Sequence, residues 1–568
     1  INANALDLGN GALDIDWSQK TIRTYGHISS RCGGNGGNGG FVETSSAGFL
    51  DVPVAPDITA PAGDGGTWLI DPYNITISGV ADTNISSSDT APNFTATADD
   101  SILNINTLLA ALTQGDVTVD TGSSPPGTGQ AGNITLATDL DFNGKGVKTL
   151  TLIAANNILI NGQIWDSDRI TTPTDGLSLD FRAGGAVELN ESISTAGFDL
   201  TVTADGAITQ GDNTTLDIGG RTRLSAGDAD NPTNITLNHA NNNFNEVAIT
   251  NANQVKLTDV NDISLGSSQE PTTSTIQGDL RLTSQGVIQQ VDANDSLVVA
   301  GETWLDANGN DIILNNDNNL NQVIVTRANN VSLNDINEIQ LGTSPDDPES
   351  TISGTLDVTA TDVSINSTVE VGNATFEPIN PTSTIGIGDG APGNFLLTEA
   401  DLTNLESRGT VQIGSPRVTG EVTIGDVNLR RERFNLTVQG GNPTFQGNLN
   451  VANDLNVTAT TDNIRQNSGT IINVNGTATL EAGNNQDITL NNTDNDFNTI
   501  VVNRGNNVTL NDKDNLNLNS VSVSGTLGVT AENTISTTGD INAGAVNLRG
   551  DRIALNSTIE TSDRVDNN

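Results

Sequence analysis

Along most of the chain, apolar residues return at every second position in short runs, and each run ends at Asn, Asp or Gly. One arrangement of these runs recurs three times, opening at Ile235, Ile312 and Ile488. Each copy reads Ile-x-Leu-Asn, or Ile-Ile-Leu-Asn in the second, followed by an Asn/Asp-rich turn ending in Phe244-Asn245, Leu320-Asn321 or Phe497-Asn498. Alternating pairs follow: Val247/Ile249, Val255/Leu257 and Ile263/Leu265 in the first copy, with counterparts from Val323 to Leu341 and from Ile500 to Leu518. A period-two pattern predicts strands with one buried face. Self-similarity that extends to the polar letters predicts stacked repeats.

Hairpin folds would show two-residue Asn-Gly or Asp-Gly turns between long alternating runs. Here runs restart about every eight residues and the polar connectors hold equivalent places in each copy. The expectation is an all-β, right-handed parallel β-helix (β-solenoid), with like aliphatic residues stacked inside and Asn stacked at the turns. The copies at Ile235 and Ile312 lie about 77 residues apart, and a degenerate copy near Leu397 (Asp401 to Asn404, then Val411 and Ile413) bridges the gap to Ile488. Coils of roughly 20 to 25 residues would number about 23 to 28, a rod on the order of 110 to 135 Å at the strand spacing. One helix is predicted within residues 101–112, where Ile102, Leu103, Ile105, Leu108, Leu109 and Leu112 form a 3.6-period face after Asp99-Asp100.

Composition sharpens this picture. Aromatic residues are 3% of the 568, Met is absent and about one residue in eight is Asn, so the core must be ladders of Ile, Val and Leu. The formal charge of −46 repels nucleic acid and anionic lipid, which argues against a nucleic-acid function. Cys32 stands alone, excluding an internal disulfide or a Cys-based metal site. A nearly Cys-free, Lys-poor, Asn/Thr/Gly-rich chain fits a bacterial exported protein. No run approaches the roughly 18 apolar residues of a membrane helix, so membrane insertion is not expected. The start at Ile1, without Met or a leader, reads as an internal or processed portion of something longer.

Candidate chemistry is sparse. Asn492-Thr493-Asp494 resembles the Asn-Thr-Asp signature of polygalacturonase-like β-helices. Its counterparts, Asn238 to Asn245 and Asn315 to Asn321, repeat along the chain, whereas a catalytic centre occurs once. His27 and His239 share no neighbourhood, and no catalytic or cofactor-binding residue is expected. Asp512-x-Asp514-x-x-Asn517 and Asp306-x-Asn308-x-Asn310 lack the Gly and terminal Glu of an EF-hand, which leaves weak Ca²⁺ binding by Asp-rich turns. Gly33 to Gly40 lacks both a β-roll Ca²⁺ repeat and the Lys-Ser/Thr of a phosphate loop. Arg549-Gly550-Asp551, expected on an exposed turn, is a candidate adhesion tripeptide. Asn-x-Ser/Thr acceptors recur at Asn74, Asn133, Asn234, Asn330, Asn435 and Asn507, as the composition alone would produce.

The first 190 residues carry a more specific pattern. Gly36-Gly37-Asn38-Gly39-Gly40-Phe41-Val42-Glu43-Thr44-Ser45 precedes Gly65-Gly66-Thr67-Trp68-Leu69-Ile70-Asp71-Pro72-Tyr73-Asn74-Ile75-Thr76-Ile77. A Leu-rich piece (Leu108 to Leu112), Gly132 to Leu136, Leu150 to Leu152 and Asn157 to Asn161 follow in order. The pattern resembles the filamentous haemagglutinin-like exoproteins of two-partner secretion, including the high-molecular-weight adhesins. The resemblance is specific over 1–190, and only its β-helical style extends over 191–568, which suggests a haemagglutinin-like region followed by a repetitive shaft. It implies export through an outer-membrane transporter, release or display at the bacterial surface, and adhesion to a host-cell, glycan or surface ligand. The family's secretion domain and signal peptide are not in this sequence. Two other expectations stand beside the adhesin: a passive stalk for a C-terminal toxin, and a polysaccharide-cleaving β-helix enzyme.

Overall fold

A computed structural model describes residues 1–561 except 19–20, 24–25, 47–48, 52–53, 55, 62, 71–72, 88–92, 98–99, 123–129, 168–174, 271, 343–349 and 484. Asp71-Pro72 of the N-terminal signature and Asp99 before the predicted helix therefore lie outside the described residues. The chain is an all-β parallel β-solenoid of about 19 turns with two short helices among the described residues. It divides into two compact units, Ile1–Gly278 and Asp279–Asn568.

In the first unit, successive coils place one aliphatic residue on the next in exact register with the hydrogen-bonded strands. Ile75 pairs with Ile134, then Ile158, Val187, Ile208, Ile235 and Val255 follow, each a coil further on. All seven are fully buried. A second ladder runs Val119, Leu152, Phe181, Val202, Leu224, Ile249. The second unit repeats the device, for example Ile288, Ile312, Val331, Leu356, Ala374 and Val411. Burial of each such side chain contributes about 1.5–3 kcal/mol before entropy is counted. β-Branched residues suit these positions because their restricted rotamers match a pleated surface packed on both neighbours.

Asparagine does at the turns what the aliphatics do inside. The Oδ1 of Asn74 accepts the backbone N–H of Asn133 in the next coil at 2.8 Å, and that of Asn133 accepts Asn157 at 3.1 Å. Asn234, Asn330, Asn435 and Asn507 accept the N–H of Gln254, Thr355, Asp454 and Thr526 in the same way. Every Asn-x-Ser/Thr acceptor named above is thus a rung of a turn ladder. Glycines serve close stacking instead. A Cβ on Gly39 would stand 2.2 Å from the backbone nitrogen of Gly66, so this glycine sits where two coils approach backbone to backbone.

The structure corrects three expectations. Coils are fewer because side excursions use chain without completing a turn: Ala374 pairs with Val411, whereas Val331 pairs with Leu356 only 25 positions on. The helix α1 spans Ile105–Gln114, starting later than its apolar period. Ser101–Asn104 is taken as a strand beside Ile75–Ser78, and Asn104 then caps the helix by accepting the N–H of Asn106. In the degenerate copy, residues Asp401 to Thr403 lie in a second helix, α2 (Glu399–Thr403), closed by a Thr398/Asp401 capping box.

Deleting methylenes from a ladder leaves a cavity that its neighbours, pinned by coil pairing, cannot fill. Ile158→Ala is expected to destabilise the surrounding coils by about 2–5 kcal/mol. Native-state hydrogen exchange should show lost protection concentrated in the strands that pair with Ile158–Ile160; uniform loss along the chain would contradict nearest-neighbour stacking.

Candidate functional site

The repeated turns that carry most of the candidate chemistry enclose buried polar corners built to one plan. Asn495 is fully buried, and its Oδ1 accepts both the Gln466 side-chain amide at 2.7 Å and the backbone N–H of Ile472 at 2.9 Å. Its Nδ2 donates to Gln466 Oε1 at 3.0 Å. Asp512, also buried, accepts the N–H of Phe497 and of Asp514. The second copy repeats this with Gln290, Asn318 and Asp335, and the first with Gln210, Asn242 and Asp259. Each Gln occupies the ladder position that Leu237, Leu314 or Leu490 fills one coil later. Burial pushes the Asp259 carboxyl from 3.8 up to about 6, against the opposing pull of the N–H groups of Phe244 and Asn261, while nearby Asp262 adds to the rise. Asp335 and Asp512 are raised by the same burial, partly offset by their own two backbone donors.

One of these corners accounts for the Asn492-Thr493-Asp494 run and for Asp512, and Asp306 and Arg549-Gly550-Asp551 lie elsewhere. The backbone N–H of Asn492 bonds Gln466 Oε1, its side-chain amide reaches the Thr470 carbonyl, and its Oδ1 accepts the N–H of Asp494. Asn492-Thr493-Asp494 is therefore the outer lip of a corner. Asp306 is engaged by Arg327 at 2.8 Å and by the N–H of Asn308. Among the described residues, no group of three or more His, Cys, Asp or Glu converges as a metal site. His27 is exposed, and His239 accepts the N–H of Asn241 within its own turn. Arg549 ends the strand Ala545–Arg549 and Gly550-Asp551 forms the bend before Arg552–Leu555, with both charged residues exposed.

A hollow beside Trp165 was not identified from the sequence. Ile164 stacks on Ile193, which stacks on Leu216, and the outward residue after Ile164 is Trp165. In the next coil the strand stops at Ser194, and the chain turns through Ala196 (φ 52°) and Gly197 (φ 97°), closed by Phe198 N–H donating to Thr195 O at 3.3 Å. Positive φ at both central positions marks a type I′ turn, which costs Ala196 about 1–2 kcal/mol. One coil further, Gly219 lies so close that a Cβ on it would stand 2.7 Å from Gly197 Cα. These small residues leave a cavity of about 660 Å³ beside the indole. Its rim carries Gln163, Ser192, Thr215 and Asp217, and Asp166, 5% exposed, also lines it. The signal in the sequence was a tryptophan at an outward strand position in a chain with only four.

Fold and corners together define a repeat protein of the parallel β-solenoid class, with polar residues spent on joining coils. The chain belongs to the family described as Repeats of unknown function (DUF5649). Matched units cover residues 174–251, 252–327, 328–391, 434–503 and 505–559, more than half of the sequence. The first two units, 174–251 and 252–327, agree in length with the spacing between the Ile235 and Ile312 copies, and the unmatched stretch 392–433 contains α2. No curated protein matches the chain.

Asn318→Ala is expected to leave the Leu297 N–H and the Gln290 amide without their partner, a loss of about 1–3 kcal/mol measured by denaturant unfolding. For Asp259, the folded state holds its proton more tightly than the unfolded chain, so this group's stabilising contribution is present below pH 3.8 and is lost as pH rises through about 6. Comparing wild type with Asp259→Asn across that window should show the wild type alone losing this increment; parallel pH profiles would refute it.

Proposed function

We propose that this chain is part of a bacterial exoprotein, exported through an outer-membrane transporter and displayed or released at the cell surface, where it acts as a non-catalytic adhesin. The observation that carries this reading is the use of the buried polar groups. The Gln/Asn/Asp triplets recur in every full copy and spend their hydrogen bonds on backbone and on one another, which is the behaviour of a scaffold. The N-terminal pattern shared with filamentous haemagglutinin-like exoproteins supports the export route. The charge of −46 favours solubility outside the cell and repels nucleic acid. Outward strand faces repeated from coil to coil suit many weak contacts that add through multivalency.

Beads coated with the purified chain are expected to bind epithelial cells several-fold above albumin-coated beads. Equal binding would remove the adhesin reading and leave a stalk. In the same assay, Asp551→Glu should lower binding if the Arg549-Gly550-Asp551 bend is the contact; unchanged binding would move the contact elsewhere. Incubation with polygalacturonate should release no reducing ends above background, and sustained release would make the chain an enzyme.

A further inference from the structure

We propose that the hollow beside Trp165 is a binding site for a neutral pyranose residue of a surface glycan. The inference rests on the adhesin reading only in taking a surface glycan as the source of the sugar. Two tryptophans on outward strand positions allow a direct comparison. Trp304 is fully used within the protein: its Nε1 donates to Glu302 at 2.9 Å, and the Arg281 guanidinium lies 4.5 Å from the ring centroid. Trp165 has an Nε1 that is buried without a hydrogen-bond partner, and beside it lies a cavity where Trp304 has an arginine. The Nε1 is closed off from solvent, so the half-buried indole offers the hollow its ring carbons rather than this donor.

The lining selects the chemistry. A pyranose ring has one apolar C–H face, suited to an indole, and hydroxyls at its edge that need both donors and acceptors. The cavity of about 660 Å³ falls within the roughly 300–1,000 Å³ of small-ligand sites. Ala196, Gly197 and Gly219 line it without bulky side chains, which leaves room for a sugar ring beside the tryptophan. The rim is held in place before any ligand arrives. Thr215 Oγ1 donates to Ser192 at 3.2 Å, and Asp217 accepts from Ser194 at 3.4 Å and from Asn243 at 2.9 Å. Asp166 and Asp217 oppose an anionic ligand such as a sulfated or sialylated sugar. A methylammonium group would call for several aromatic walls around it, and here there is one.

The test uses the full chain and four neutral probes: the methyl pyranosides of glucose, galactose and mannose, and N-acetylglucosamine. Saturation-transfer NMR identifies which binds, and calorimetry gives its Kd. At least one probe is expected to bind at millimolar concentration, with affinity reduced at least tenfold in Trp165→Ala. Ser194→Leu, which fills the hollow from the next coil without entering the core, should reduce it equally and stands in if Trp165→Ala fails to fold. If no neutral probe gives a Trp165-dependent signal, or if choline alone gives one, the proposal is overturned. Cell binding by the coated beads separates the two readings. Bead adhesion that persists while all four probes fail sinks this site and leaves the adhesin. Sugar binding without bead adhesion sinks the adhesin and leaves the site.

Discussion

Each coil of this protein must pair its backbone with the coil before and the coil after, in one fixed register. That constraint makes the interior a set of columns, and it requires whatever sits in a column to suit the residues directly above and below. Aliphatic residues meet the requirement by stacking like on like, as Ile134, Ile158 and Val187 do. Polar residues meet it only when every donor and acceptor finds a partner, because an unsatisfied buried group costs as much as a lost hydrogen bond. The triplet of Gln466, Asn495 and Asp512 solves that problem at a corner, and its two counterparts solve it identically.

The same constraint sets the hydrogen bonds of residue types that suggest chemistry when read in the sequence. Asn492-Thr493-Asp494 and the Asp-rich turns point toward catalysis or Ca²⁺ when read as short motifs. In the fold, the same amides and carboxylates hold the backbone of neighbouring coils. The places left for recognition are those where the columns are interrupted. The coil that ends at Ser194 and turns through Ala196 and Gly197 is one such place, and it leaves a tryptophan facing open space.

Much of the fold was legible because stacking imposes a strict period. A residue that must sit on its own kind reappears at each coil, so the Ile-x-Leu-Asn openings and their turns could be read directly as repeats. Gln210, Gln290 and Gln466 were missed because each lies one coil before the copy it serves, and a glutamine among polar letters carries no period of its own. The start of α1 was misplaced because the apolar spacing continues through Ser101–Asn104, where pairing with Ile75–Ser78 overrides it. In the degenerate copy, the capping box of Thr398 and Asp401 turned an expected corner into a helix.

The sequence by itself determined the class of architecture, the residues of the ladders and the places of the turns, since these depend on the order of apolar and polar letters. Tertiary structure alone decided which polar groups are buried and which remain available, because partners are set by coil register across gaps of 15 to 32 positions. An aspartate at a turn looks the same in the sequence whether it faces water, as Asp551 does, or lies buried against two backbone N–H groups, as Asp512 does. The hollow beside Trp165 has the same origin. It exists because two glycines from different coils meet backbone to backbone, and no reading of either segment alone contains that contact.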